Sequence, residues 1–246
     1  IMVANVPDYC VDEVSDHALT LLLMLSRQVI AAINLAREKQ WSTANMPSLH
    51  RLRGQVCGLF GAGKIGSLLA QKVSQLGMEV ITCDPYLDER VAREKGMEKV
   101  SFDALLSRSD FISLHAPLTG ETHHIFGEKT FGRMKDGVFI VNTARGGLID
   151  ESALIVAIGS GKIAGAALDV LEVESSITPL RAALVNHPKV IVTAHTAWLS
   201  DEARTALQAR AIAQVLACLD GERPYGLVNR TIERPRSISD EKDRRP

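Results

Sequence analysis

Aromatic side chains are scarce, with 6 Phe, 3 Tyr and 2 Trp in 246 residues. That is too few for the stacking platforms that grip single-stranded nucleic acid. An excess of charge of one sign is lacking too. With 28 Lys plus Arg against 29 Asp plus Glu, the formal net charge of −1 offers no field to a phosphate backbone or an anionic membrane. No apolar run is long: Ala18 to Leu25 already contains Thr20 and is closed by Ser26 and Arg27. It falls far short of a membrane span, and no basic segment precedes it as a signal peptide requires. Cysteine pairs of the C-x-x-C kind are absent. Cys10, Cys57, Cys83 and Cys218 are scattered and read as reduced core thiols of a cytoplasmic protein. Neither nucleic acid nor a membrane is an expected partner.

What is present is ordinary globular chain, 46% hydrophobic and 23% charged, long enough for one large α/β unit or two small domains. From Asp12 to about Arg37 apolar residues recur at helical spacing, and Leu21-Leu22-Leu23-Met24 makes the middle apolar nearly all round. One long helix is expected there, covered on more than one side. Residues 40–54 read as a loop. The period then changes. Val56-Cys57-Gly58-Leu59-Phe60, residues 79–84, 110–115, 138–142, 164–169 and 190–193 are short apolar runs. Helical patterns separate most of them, at 102–108, 128–135 and 151–159, and a last helix is expected over 202–219. Short continuous strands alternating with helices imply a doubly wound parallel sheet, an α/β fold of Rossmann type. Residues 1–229 are expected to form this dinucleotide-binding domain. Residues 230–246, rich in Arg, Glu, Asp and Ser, read as a disordered tail.

Gly61-Ala62-Gly63-Lys64-Ile65-Gly66 is a G-x-G-x-x-G that follows an expected strand and opens an expected helix. Gly61 permits a tight turn, Gly63 lets backbone N–H groups approach a pyrophosphate, and Gly66 lets helix and strand pack closely. Asp84 closes the next strand. There it can accept hydrogen bonds from both adenosine ribose hydroxyls and repel a 2′-phosphate, which favours NAD over NADP.

Several segments together resemble the D-isomer-specific 2-hydroxyacid dehydrogenases. They are residues 5–14 (NVPDYCVDEV), the loop 61–66, 115–122 (HAPLTGET), 141–147 (VNTARGG), 165–170 (GAALDV) and His195-Thr196-Ala197-Trp198. Phosphoglycerate dehydrogenases, glyoxylate and hydroxypyruvate reductases and the C-terminal-binding-protein corepressors share the pattern. The resemblance implies NAD as cofactor and a small 2-oxo or 2-hydroxy acid as substrate. It also implies a catalytic trio of Arg145, Glu174 and His195. The cofactor would be held by Gly61, Gly63, Lys64, Ile65, Gly66, Asp84, His115, Pro117, Thr122, Thr143, Ala144, Arg145, Asp169 and His195. The chemistry needs these residue types. A guanidinium fork can hold a carboxylate and polarise a ketone. An imidazole can protonate the alkoxide that forms as hydride arrives, and a carboxylate beside it fixes its orientation and favours its protonated form.

Two residues depart from the family pattern: Ser175 follows the expected acid and Ala194 precedes the expected histidine, both in place of proline. The opening Ile1-Met2-Val3 reads as the start of a piece cut from a longer chain. On that reading residues 1–10 and 200–229 connect to a substrate domain that is largely absent, and this chain binds NAD but turns over 2-oxo acids poorly. The competing expectation is a corepressor-like NAD(H)-sensing scaffold. A homodimer is expected from the surplus apolar surface of the 12–37 helix and the loop bearing Trp41. His123-His124 has no further His or Cys at ligand spacing, so the two read as solvated loop histidines and no metal is expected.

Overall fold

In the computed structural model, residues 1–176 and 178–229 are described, and the expected tail at 230–246 lies outside them. The described residues divide into two compact units, Val14–Ala197 and, together, Ile1–Glu13 with residues 198–229.

The larger unit is built on seven strands: β1 (Val56–Phe60), β2 (Glu79–Cys83), β3 (Glu98–Lys99), β4 (Phe111–Leu114), β5 (Val138–Asn142), β6 (Ile163–Leu168) and β7 (Val190–Val192). They lie in the order β3-β2-β1-β4-β5-β6-β7, every pair parallel. The chain reverses its direction of travel across the sheet between β1 and β4, and a crevice at that switch is where such sheets bind ligands. Strand residues alternate between two cores. Cys57, Leu59, Phe111, Val141 and Ala167 face one, with Ala18, Leu21, Leu22, Leu69 and Val73. Phe60, Ile112, Leu114, Ile140 and Leu168 face the other, with Leu105, Phe131, Leu154 and Ile158. Both faces are covered, which is why the strands read as continuous apolar runs.

The expected 12–37 helix is broken. It forms α1 (Val11–Ser26) and α2 (Val29–Arg37), with Gln28 in the left-handed region at φ 48° and a bend of 59° between them. Apolar periodicity runs through the break because hydropathy carries no information about a single backbone angle. Leu21, Leu22 and Leu25 are buried in the larger unit's own core, whereas α2 buries no residue. No single helix among the described residues is long and apolar enough to cross a membrane; α1 and α2 pass that test only as a bent pair.

The remaining helices are α3 (Lys64–Gln75), α4 (Glu89–Glu94), α5 (Phe102–Arg108), α6 (Glu128–Arg133), α7 (Glu151–Gly159), α8 (Pro179–Val185) and α9 (Asp201–Leu219). Two of them, α4 and α8, are too short for apolar periodicity to announce them, and α4 is mostly charged. α4 is held instead by its cap: the Asp88 side chain accepts from the N–H groups of Arg90 and Val91. Ion pairs Arg90–Glu94 and Arg93–Glu89 add the i,i+4 contacts. Thr178 caps α8 in the same way, with Pro179 at the first helical position.

The smaller unit pairs the two ends of the described chain. Asn5 N–H donates to the Gly226 carbonyl and Val228 N–H to that of Val3, flanking an antiparallel bridge between Ala4 and Leu227. The Gln214 side chain of α9 bonds both the Asn5 carbonyl and the Gly226 N–H.

Candidate active site at the carboxyl ends of the strands

Each sequence-derived residue stands just beyond the carboxyl end of a strand, in the loop leaving it or, for Lys64, Ile65 and Gly66, in the first turn of the helix that follows. Gly61 follows β1, Asp84 follows β2, His115 and Pro117 follow β4, Thr143 to Arg145 follow β5, Asp169 follows β6 and His195 lies three residues past β7. The parallel order therefore gathers six loops on one edge.

The glycine loop divides its labour. Gly61 has φ 92°, and a Cβ there would lie 2.9 Å from the Ala116 nitrogen. A Cβ on Gly66 would lie 2.5 Å from the Gly61 carbonyl oxygen. Both glycines are demanded by the chain's own packing. Gly63, the N-cap of α3, differs: a Cβ there would meet nothing within 4 Å, and no side chain caps the helix. Open space beside an uncapped helix N-terminus suits a pyrophosphate. Lys64 and Ile65 form the first turn of that helix. Asp84 ties the loop down, accepting from Ala62 N–H at 2.9 Å with one oxygen and from Tyr86 N–H at 2.9 Å with the other. Each oxygen keeps a further lone pair for a hydroxyl.

After β5, the buried Asn142 side chain spans the turn. Its Nδ2 donates to the Arg145 carbonyl at 2.9 Å and its Oδ1 accepts from Ala144 N–H at 3.0 Å. Arg145 is thereby presented to solvent, with Nη1 donating to the Ala144 carbonyl. Thr143 is buried, and its Oγ1 has no hydrogen-bond partner. A buried hydroxyl left unpaired costs about 1–3 kcal/mol, so its place in this cleft marks where a polar ligand group would complete the site. With Gly63, this is what makes the edge fit a dinucleotide. In the loop after β4, Thr122 Oγ1 donates to the Pro117 carbonyl at 2.7 Å and closes a turn.

His115 closes β4, its N–H donating to the Phe60 carbonyl and its Nε2 lying 2.9 Å from Ser113 Oγ. Although part of the residue reaches solvent, burial of the ring pushes its pKa down to about 4. The fold thus accommodates the neutral ring. Its contribution is complete above the ordinary value of 6.5 and is lost as pH falls toward 4. Urea unfolding is expected to show up to about 3 kcal/mol of stability disappearing across that window, less the part that solvent screens. His115→Gln should flatten that part of the profile; an unchanged slope in the variant would assign it to other groups.

His195 and Glu174 meet, Nδ1 to Oε2 at 2.9 Å, both partly exposed. His195 sits at φ 54°, a conformation a non-glycine residue holds only when its surroundings impose it. Asp169 imposes it. Its carbonyl accepts the His195 N–H, and its buried carboxylate accepts from Thr193 Oγ1 and from the N–H groups of Thr196 and Ala197. His17 of α1 adds a contact, Nε2 lying 3.0 Å from Thr193 Oγ1 and 3.5 Å from Asp169. Asn142 and His17 were not found by sequence reasoning. Asn142 was legible in principle as a polar residue ending an apolar strand; His17 had no signal.

His123 and His124 do not stand alone. Glu172, forty-eight residues beyond His124, brings one carboxylate oxygen to both rings. A cavity of about 510 Å³ opens elsewhere, lined by Asp110, Phe111, Phe139 and Lys189 among others, and no residue of the candidate site borders it.

Residues 19–197 match the family model for the D-isomer specific 2-hydroxyacid dehydrogenase NAD binding domain. The chain belongs to that family. Members of the family are NAD-dependent oxidoreductases of CH–OH donors, and NAD is the cofactor of this domain. The chain is 36% identical over 239 residues to glyoxylate reductase of Korarchaeum cryptofilum, covering 96% of this chain and 71% of that one. It is 36% identical over 230 residues to D-3-phosphoglycerate dehydrogenase of Bacillus subtilis, covering 93% of this chain but 43% of the relative. Among solved structures, D-lactate dehydrogenase of Treponema pallidum superposes with a TM-score of 0.87 at 35% identity, covering 93% and 72% of the two chains. The Aquifex aeolicus D-lactate dehydrogenase, complexed with NAD and lactic acid, gives 0.85 at 32% identity, covering 90% and 70%. These family relatives are enzymes by name, and the corepressor-like alternative gains nothing from them.

Proposed function

We propose that this protein interconverts a small 2-oxo acid and its D-2-hydroxy acid with NAD(H). The observation that carries the reading is the His195–Glu174 pair, held at 2.9 Å on the same strand edge as the glycine loop and the presented Arg145. The loop 61–66, Asp84, Thr143 and their neighbours would hold NAD, which when bound supplies or takes the hydride at the substrate's C2. Arg145 holds the substrate carboxylate and polarises the C2 carbonyl through its guanidinium fork. His195 donates its proton to the carbonyl oxygen as negative charge develops there, and regains one from solvent afterwards. Glu174 accepts the Nδ1 hydrogen bond and fixes which face of the ring is offered. In the reverse direction His195 removes the hydroxyl proton. The test is to supply the full-length protein with NADH and glyoxylate, pyruvate or hydroxypyruvate, following loss of NADH absorbance and the chirality of the product. Oxidation giving the D-product is expected, except with achiral glycolate. Bound NADH with no oxidation by any of the three would overturn the reading.

The same proposal includes a cytoplasmic homodimer. Its location rests on four unpaired thiols, which fit a reducing compartment. Dimerisation rests on α2, which buries nothing, on Ile33 and on Trp41, 88% exposed. Light scattering should return twice the chain mass at micromolar protein; a monomer there would remove the dimer from the proposal.

A further inference from the structure

Away from the glycine loop, three metal-ligating side chains converge. His124 has a left-handed backbone at φ 51°, and its ring stacks on that of His123 with centroids 3.9 Å apart and 24° between planes. The stacking aims both Nε2 atoms at one oxygen, Glu172 Oε1, at 3.3 Å from His123 and 2.8 Å from His124. All three donor atoms lie within 4.8 Å of one another, and no other such group occurs among the described residues. Tetrahedral ligation with bonds of 2.0–2.1 Å separates neighbouring donors by about 3.3 Å. Small rotations of these exposed or half-buried side chains therefore bring the three to ligating distance.

The backbones beneath them are fixed. Glu172 N–H donates to Glu151 Oε1 at 2.8 Å, and Glu151 is itself buried and ion-paired with Arg181 at 3.0 Å. Gly146 lies against the same segment so closely that a Cβ there would fall 2.0 Å from the Leu171 carbonyl carbon. His124 N–H is held by the Gly147 carbonyl at 2.8 Å. A preformed set of this kind loses little entropy on capturing an ion.

We propose that His123, His124 and Glu172 form a binding site for Zn2+, with two imidazole nitrogens and one carboxylate oxygen as ligands and water in the remaining position. The two nitrogen donors set it apart from sites for Mg2+ or Ca2+, which take oxygen. Ligation uses the Nε2 lone pairs, so each neutral ring carries its proton on Nδ1. The proposal does not depend on the dehydrogenase reading.

The experiment is equilibrium dialysis of the full-length protein against Zn2+, with Co2+ as the coloured probe. One ion per chain is expected, with the visible Co2+ bands of a four-coordinate ion. His123→Ala, His124→Ala and Glu172→Ala should each weaken binding by roughly 10–100-fold or more, with Glu172→Gln as the shape-conserving companion. Circular dichroism should show all four folded, since the side chains are exposed or half-buried. Cys10→Ser, Cys83→Ser and Cys218→Ser should bind as the parent does. No saturable binding, or binding that survives the His and Glu variants, or loss confined to the cysteine variants, would overturn the site.

Discussion

A His195→Ala variant is expected to lose turnover of a 2-oxo acid by roughly 10²–10⁴-fold, the usual worth of a positioned general acid, while its affinity for NADH falls far less because the glycine loop, Asp84 and Thr143 stay in place. The two readouts separate because nothing in the glycine loop leans on the imidazole. What holds the 193–197 segment is Asp169, whose bonds run to the Thr193 hydroxyl and to the backbone N–H groups of residues 195, 196 and 197. Alanine keeps those N–H groups. It also finds φ 54° no easier than histidine does, so some stability is expected to be lost along with activity. Glu174→Gln is the informative companion. Glutamine preserves the shape and a hydrogen bond to Nδ1 but not the charge, and its loss should be the smaller of the two. Turnover by His195→Ala within about fivefold of the parent would remove the histidine from its assigned role.

The second large effect separates two glycines that look equivalent in the motif. Gly66→Ala places a methyl 2.5 Å from the Gly61 carbonyl oxygen, and backbone cannot step aside as a flexible side chain can. Gly61 has no slack either, being packed against the His115–Ala116 peptide. The α3 terminus must therefore move off β1, at a cost of about 1–3 kcal/mol, the usual range for overpacking. Gly63→Ala meets nothing within 4 Å, and its backbone at φ −63° is open to alanine. The apoprotein should be as stable as the parent. Its methyl nevertheless enters the space where a pyrophosphate would approach the backbone, and NADH affinity should fall by at least about tenfold. Thermal unfolding with and without NADH reads both variants. A Gly63→Ala protein still stabilised normally by NADH would place the cofactor elsewhere.

How far the sequence reached depends on what kind of information each feature carries. Six of the seven strands and most helices were legible because burial on both faces writes itself as apolar runs and stripes. β3, a two-residue edge strand, and the polar α4 write no such signal, although the Asp88 cap of α4 is a signal of another kind. The break at Gln28 was invisible because it is a single dihedral angle inside an unbroken apolar pattern. At the site, the glycine loop and Asp84 were read from local spacing. The juxtaposition of Glu172 with His123 and His124 could not be, since the fold alone brings those two loops together.

The position of β7 has a consequence for motion. It has three residues and forms one edge of the sheet, paired among the described strands with β6 alone. Edge strands of this length open locally at free energies well below that of global unfolding. The segment bearing His195 leaves that strand, so without a separate fastening the histidine would fray away from the sheet at each local opening. The buried Asp169 carboxylate, anchored to the end of the interior strand β6, gives 193–197 a fastening that does not run through the β7 ladder. His195 is thereby coupled to the cooperative centre of the sheet rather than to its loose margin.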